Sequence, residues 1–388
     1  MVLLDSVTEP DQLERGLALA AQQRFPEALT ALLEHARAQP SDVRGHLAIY
    51  EVGQLAGRPD LALKHQIEAI ALAPIHAARA TEREEYALLV PCVAGTWTAN
   101  TPVELLFDTR RVTIHRWYVD VAAAPLQFPR HDAVFVAIGE SDASRPILER
   151  LPALIPAGVP VINEPAEILA MDRRTIGERL HDIPGCRSVP TRRVARAELA
   201  ALELAEAPQI VRPVDSHGGR ALERIATATE RDAYLAASNE EAFYLADFID
   251  YASGDGYFRK HRIIFVDGAA YAFHLAISPR WMVHYYNAPM TEHAWMRAEE
   301  AAFLGDVHTV YDGPRAEALK AIAQKVRLPY FGIDSAVDRD GNVVVFEADN
   351  SLIVHALDDP VMFPYKRPAY ERITRAVDTM VRKRIGKA

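Results

Sequence analysis

"FGIDSAVDRDGNVVVFEADNSLIVH", residues 331–355, sets three acidic side chains at the ends of two apolar runs. Asp334 ends the first run, and Glu347 and Asp349 end the second. Between the runs, Asp340-Gly341 is a two-residue hairpin signal. With those residues as the turn, Asp334 lies opposite Glu347. Asp349 lies opposite Gly332, whose missing side chain leaves room. Alternation along the strand predicts Val343, Val345, Glu347 and Asp349 on one face, with Val344, Phe346 and Ala348 on the other. Asp334 joins the carboxylate face. Like charges directly opposite destabilise a sheet, so the arrangement calls for a raised pKa or a bound cation. Replacing Asp334 or Glu347 by its amide is then expected to relieve repulsion in the metal-free protein. Oxygen ligands on adjacent strands suit Mg²⁺, a hard ion commonly held by one or two carboxylates plus substrate phosphates. The alternative is a solvated hairpin whose acidic ends face water.

The chain has 388 residues, enough for two or three domains. Its 49% hydrophobic and 25% charged residues are those of an ordinary globular protein. The net charge of −10 argues against a nucleic-acid surface, which needs clustered Lys and Arg. Cys92 and Cys186 stand in dissimilar contexts and define neither a metal spacing nor a disulfide framework. The start "MVLLDSVTEPDQ" lacks the basic and apolar regions of a secretory signal. No uncharged run reaches the ~20 residues of a membrane span. These features predict a cytoplasmic protein with neither a nucleic-acid nor a membrane partner.

Residues 11–74 carry an internal repeat. Arg24 and Arg58, Ala28 and Ala62, Leu29 and Leu63, and Pro40 and Pro74 are each 34 positions apart, the tetratricopeptide period. Small Ala28 and Ala62 let paired helices approach, and Pro40 and Pro74 stop the second helix of each unit. Two such units bury too little alone. The module is therefore expected to dock on the rest of the chain or on a second copy in a homodimer, with "TEREEYALLVP", 81–91, supplying a further helix. From about residue 84, strand and helix patterns alternate as in a parallel α/β unit. From about 186, strand pairs mix with helices, and "RPAYERITRAVDTMVRKRI" closes the chain as an amphipathic helix whose basic end reads as a solvated face. The predicted division is 1–83, 84–185 and 186–388.

Asp215-Ser216-His217-Gly218-Gly219-Arg220 forms a glycine loop between two strand patterns. Its backbone N–H groups and Ser216 can turn toward a phosphate, with Arg212 on the entering strand. An ordinary turn is the bland alternative, and the loop lacks the Lys-Ser/Thr ending of a Walker motif.

In their order along the chain these stretches resemble the ATP-grasp superfamily over about residues 130–385. "VRPVDSHGG" is similar to the strand and loop that close over phosphates, with Arg212 where the family usually has Lys. "YLADFID" is similar to the strand joining the two halves, which implies adenine at the backbone of Asp247, Phe248 and Ile249. "KHRIIFVDG" resembles the Arg-bearing strand, with Arg262 at its Arg. "GID…VVVFEADN" resembles the metal hairpin, with Asp334 and Glu347 thirteen residues apart as in the family. There the family has Glu-any-Asn, whereas this chain has Asp349 followed by Asn350. "VPVINEPAEILAMDRRTIGERL" resembles the segment carrying the first phosphate-binding cation, here Arg173 or Arg174.

The resemblance implies an α/β and α+β architecture: a small α/β pre-domain and a two-part ATP-binding domain, preceded by the helical module. It implies ATP and Mg²⁺ as cofactors, and a ligase that activates a carboxylate as an acyl phosphate for attack by an amine or other nucleophile. Arg262 and Arg280 would stabilise the transition state. The metal set would be Asp334, Glu347, Asp349 and Asn350. His284, Asn287 and His355 would hold the acceptor, a small molecule or peptide. The rival readings are an ATP-dependent small-molecule kinase and a non-catalytic nucleotide-binding scaffold.

Overall fold

The computed structural model describes residues 11–119, 127–204, 207–214, 216, 219–285 and 287–387. It opens with four helices, α1 (Gln12–Ala21), α2 (Phe25–Ala38), α3 (Val43–Leu55) and α4 (Pro59–Leu72), packed in sequence as two helical hairpins. Ala28 and Ala62 are fully buried at the two helix crossings. The fit is close: a Cβ on Gly53 would stand 3.0 Å from the Ala62 Cβ. Pro40 and Pro74 follow the ends of α2 and α4, as the repeat predicts.

Beyond these four helices, the described residues form fourteen strands and further helices. β1 (Ile75–Ala78), β2 (Tyr86–Cys92), β3 (Val112–Tyr118), β4 (Ala133–Phe135) and β5 (Val161–Ile162) form one sheet in the order β1-β3-β2-β4-β5. Only β1 pairs antiparallel; the others are parallel. The stretch 81–91, expected to be helical, instead enters β2. Its run Tyr86–Cys92 is buried throughout, as a strand covered on both faces requires. Residues 75–78, placed by the sequence division in the helical module, belong to this sheet. The helix Lys366–Arg384 sends Ile373, Val377 and Met380 into one apolar core with Leu88, Val90 and Ile114. Its basic end is not a free solvated face: Arg382 pairs with Glu85 and Asp378, and Arg384 with Asp267.

A second, antiparallel sheet has the order β7-β10-β8-β9, from β7 (Thr191–Ala195), β8 (Gln209–Pro213), β9 (Glu223–Ile225) and β10 (Ala242–Asp247). The third runs β12-β11-β13-β14-β6, from β6 (Cys186–Ser188), β11 (Phe258–Val266), β12 (Ala269–Ser278), β13 (Tyr330–Val337) and β14 (Val343–Asp349). The β11–β12 turn at Asp267-Gly268 has both residues at positive φ, 51° and 83°, which matches the strand twist. Among the described residues, no helix is long and apolar enough to cross a membrane.

The β13–β14 hairpin differs from its sequence reading in two places that offset each other. Val337 pairs with Val343, and the Asp338 N–H donates to the Asn342 carbonyl at 3.0 Å, so the turn is the three residues Arg339-Asp340-Gly341. Gly341 takes the left-handed φ of 84° that this turn demands. Further along, Ser335 faces Val345 but Asp334 faces Glu347, which leaves Phe346 as a bulge. The extra turn residue and the bulge cancel, so Asp334 still meets Glu347 and Gly332 still meets Asp349. The bulge does reassign the faces. Val343, Val345 and Ala348 enter the main core, while Val344 and Phe346 pack with Ile249 and Tyr251. The space beside Gly332 is filled as well: a Cβ there would lie 2.8 Å from Ile264 Cδ1 and from Leu352 Cδ1.

Candidate functional site

A cavity of about 970 Å³ lies where the second and third sheets meet the first sheet and helix α3. Its floor is ionic. Lys260 and Arg262, two apart on β11, point to the same side by strand alternation. Arg262 stands opposite Asp334 in the ladder and bonds both of its oxygens, Nε to Oδ1 at 2.8 Å and Nη2 to Oδ2 at 3.1 Å. Lys260 Nζ adds a contact to Oδ2 at 2.8 Å. Burial opposes the ionisation of Asp334, but the two cations outweigh it and hold its carboxyl far below the usual range. Cations of the protein itself therefore relieve the crowding of Asp334 against Glu347, a remedy the hairpin sequence alone does not display.

Arg173 opens the helix Arg173–Leu180, whose N-terminus is capped by the Asp172 side chain. It reaches across the cavity to Glu347, Nη2 to Oε1 at 2.5 Å. Its neighbour Arg174 turns outward, bonds Asp172 and does not line the cavity, so Arg173 is the inward cation of the pair. Arg212 on β8 is half-buried in the cavity wall and donates from Nε to Ser216 Oγ at 3.0 Å, and also to the Ser216 carbonyl. Among the described residues no carboxylate reaches salt-bridge distance of Arg212, although the charge of Glu347 acts on it. Burial, then the charge of Arg173, lowers its pKa to about 10, so it stays protonated at neutral pH. Gly219 lines the cavity at φ 74°, whereas His217 and Gly218 lie outside the described residues.

Asp247, Phe248 and Ile249 form one wall. The Phe248 ring meets Trp281 edge-on at 5.7 Å. The Phe248 N–H is already spent on the Pro208 carbonyl at 2.9 Å, so it is not open to a base. Asp349 lines the cavity, and its oxygens accept from Ser351 N and Oγ at 2.8 to 3.0 Å. Asn350 points the other way: fully buried, it donates to the Ile138 carbonyl at 3.0 Å and fastens the hairpin to the segment that follows β4.

His284 and His355 also line the cavity, within reach of the charge of Arg262. Burial, then Lys260, lowers the pKa of His284; burial, then Lys366, lowers that of His355 to about 4. Both rings are neutral at pH 7. Arg280 is exposed and does not line the cavity, which removes it from the expected catalytic pair. Asn287 is also exposed. It secures the local turn, accepting from the His284 N–H at 2.7 Å and donating to the Met282 carbonyl at 2.9 Å.

Several cavity groups were not singled out from the sequence. Lys260 was legible by alternation from Arg262. Lys366, which pairs with Asp358 at 3.1 Å, had no local signal. Neither had the contribution of α3: Tyr50, Glu51 and Leu55 close the far end of the cavity beside Arg116, which pairs with Glu104. The Tyr50 hydroxyl donates to the Gly95 carbonyl at 3.0 Å.

No family model and no curated protein sequence matches this chain. Solved structures do. A D-alanine-D-alanine ligase from Coxiella burnetii is similar at 12% identity and a TM-score of 0.48, over 78% of this chain and 96% of that one. The D-cycloserine synthetase DcsG is similar at 16% identity and a TM-score of 0.41, over 74% and 99%. A RimK domain protein ATP-grasp from Sphaerobacter thermophilus is similar at 15% and 0.44, over 76% and 99%. Likenesses this distant assign no activity, and the functional reading rests on the cavity.

Proposed function

We propose that the cavity binds ATP and that the protein is an ATP-grasp ligase, activating a carboxylate for attack by an amine or other nucleophile. The observation that carries this reading is Arg212: a half-buried cation beside Arg173, with no carboxylate partner among the described residues. Burial and the charge of Arg173 oppose this cation more than Glu347 supports it, a cost in a low-dielectric wall that an anionic ligand offsets. Arg173, Arg212, Lys260 and Arg262 line the cavity together with Asp334, Glu347 and Asp349. Arg forks match phosphate oxygens.

The donor chemistry fits Mg²⁺ at Glu347 and Asp349, two cavity-facing carboxylates that would act with phosphate oxygens. When bound, the ion would neutralise phosphate charge. Asp334, expected as a third ligand, serves better as the anchor for Arg262 and Lys260, which already engage both of its oxygens. Those two cations are then held rigid where negative charge develops on the transferring group. A substrate carboxylate oxygen attacks the γ-phosphorus, the bond to the bridging oxygen breaks, and ADP leaves. The acyl phosphate is attacked at carbon, and phosphate leaves. Neutral His284 and His355 offer hydrogen bonds to the acceptor without charge. The Phe248–Trp281 wall offers an apolar surface to the base.

The test is turnover of full-length protein with ATP, Mg²⁺ and a panel of carboxylates in the presence of hydroxylamine. ADP and hydroxamate forming together support acyl-phosphate chemistry. ADP with a stable phosphorylated product would make the protein a kinase. Nucleotide binding with no ADP from any carboxylate would favour a scaffold.

A further inference from the structure

Away from the cavity, helices α3 and α4 bring together His46, His65 and Glu68. His46 lies in the first turn of α3. His65 and Glu68, three apart on α4, share one helix face. The Nδ1 atoms of the two buried imidazoles stand 2.8 Å apart. One oxygen of Glu68, Oε2, lies 3.1 Å from His46 Nδ1 and 3.3 Å from His65 Nδ1. We infer that these three side chains form a binding site for a divalent transition-metal ion of the zinc class.

The tautomers support it. His46 Nε2 lies 3.0 Å from the Pro40 carbonyl oxygen, which can only accept, so Nε2 carries the proton and Nδ1 of the neutral ring presents a lone pair. A backbone carbonyl holding the far nitrogen of a histidine is the usual outer support of a metal ligand. Without metal, the short Nδ1–Nδ1 contact needs a proton on His65 Nδ1. A shift of that proton to Nε2 turns both Nδ1 lone pairs toward the point shared with Glu68.

The size is right as well. Zinc binds imidazole nitrogen and carboxylate oxygen at about 2.0–2.1 Å, so the edges of its tetrahedron are about 3.3 Å. The observed triangle of 2.8, 3.1 and 3.3 Å approximates one face. The Glu68 side chain is 40% exposed, which gives an entry path and leaves the fourth position to water. Lys64 approaches only the other oxygen, Oε1, at 3.9 Å. Two histidines and one glutamate with an open position suit zinc, whereas Mg²⁺ prefers oxygen donors alone. A metal here would clamp α3 to α4. Tyr50, one turn beyond His46, lines the cavity, so the clamp would steady that wall.

The experiment uses full-length protein stripped with a chelator and titrated with Co²⁺ as a spectroscopic probe, then with Zn²⁺ as competitor. The expected result is one Co²⁺ per chain with the strong visible bands of a four-coordinate nitrogen-containing site, displaced by Zn²⁺, and a rise in melting temperature with Zn²⁺. Glu68→Gln, at a partly exposed position, should weaken Co²⁺ binding by at least about tenfold, because one of three protein ligands loses its charge. His65→Gln should abolish the bands, and Glu347→Gln should leave them intact. Only the weak spectrum of oxygen-bound Co²⁺, or bands unchanged in Glu68→Gln, would overturn the site even if His65→Gln failed to fold.

Discussion

Arg262 grips both oxygens of Asp334 from the facing strand, at 2.8 and 3.1 Å, and so turns the most buried carboxylate of the hairpin into a counter-charge for the cations around it. This reverses the stability expected from the sequence. Asp334→Asn does not relieve repulsion; it leaves Arg262 and Lys260 without their partner. Breaking a buried pair from one side costs about 3–5 kcal/mol, and Asp334→Asn should destabilise by that order and abolish ATP turnover. Urea unfolding at pH 7 measures it, and a variant at least as stable as the parent would restore the repulsion picture. The acid side follows from the depressed pKa of Asp334. Its contribution is present above the ordinary aspartate value and is lost as pH falls below about 4 toward the folded value. The variant should lack that share of the acid-induced loss.

Arg212 has the opposite logic. Replacing it with Met removes a charge that lacks a carboxylate partner among the described residues, so the nucleotide-free protein should be as stable as the parent or more so. ATP should bind about 10–100-fold more weakly, the value of one or two charge-assisted hydrogen bonds, while adenosine should be little affected. Calorimetric titration with both ligands checks this. Equal weakening of the two would place Arg212 away from phosphate.

His261 is fully buried between Phe303 and Tyr311, and neither ring nitrogen has a hydrogen-bond partner among the described residues. Burial, then Arg259, lowers its pKa to about 3. Between about pH 6.5 and 3 the unfolded chain binds the proton that the folded chain refuses, so stability falls as pH drops through that window. His261→Met, similar in volume, should flatten this fall and gain about 1–3 kcal/mol at pH 7 by removing unsatisfied polar atoms. Melting curves from pH 7 to 4 decide it. A pH slope identical to that of the parent would show that His261 finds a partner.

The hairpin shows how much was legible in the sequence. Asp334 against Glu347 came out right from a turn that was one residue too short, because the Phe346 bulge restored the count. The facing of Val343 and Val345 came out wrong, because a bulge leaves no mark in a run of apolar residues. Lys260 could be placed from Arg262 by alternation alone. The choice between Arg173 and Arg174 could not, since both sit in the first helical turn and only tertiary packing turns one inward. Arg280 and Asn287 follow the end of β12, where strand alternation no longer fixes side-chain direction. The cavity wall made by Tyr50 and Glu51 depends on how α3 docks, and no local pattern encodes that.

Docking of the helical module can be tested at Gln66. This residue of α4 is 1% exposed and bridges to the first sheet: its Oε1 accepts from the Gly95 N–H at 2.9 Å, and its Nε2 donates to the Tyr118 hydroxyl at 3.3 Å. Gly95 also accepts from Tyr50, so one loop is held by α3 and α4 together. Gln66→Leu keeps the size but removes both bonds. It leaves a backbone N–H without its partner, a loss of about 1–3 kcal/mol. Unfolding should begin earlier, and protease cleavage between α4 and β2, near residues 79–85, should speed up. ATP affinity should hold, because the phosphate-facing cations lie on β8, β11 and the helix Arg173–Leu180. Unchanged stability together with unchanged proteolysis would mean that the helices do not rest on the first sheet in solution. The module would then be an independent arm, and the Tyr50 wall of the cavity would be lost from the proposal.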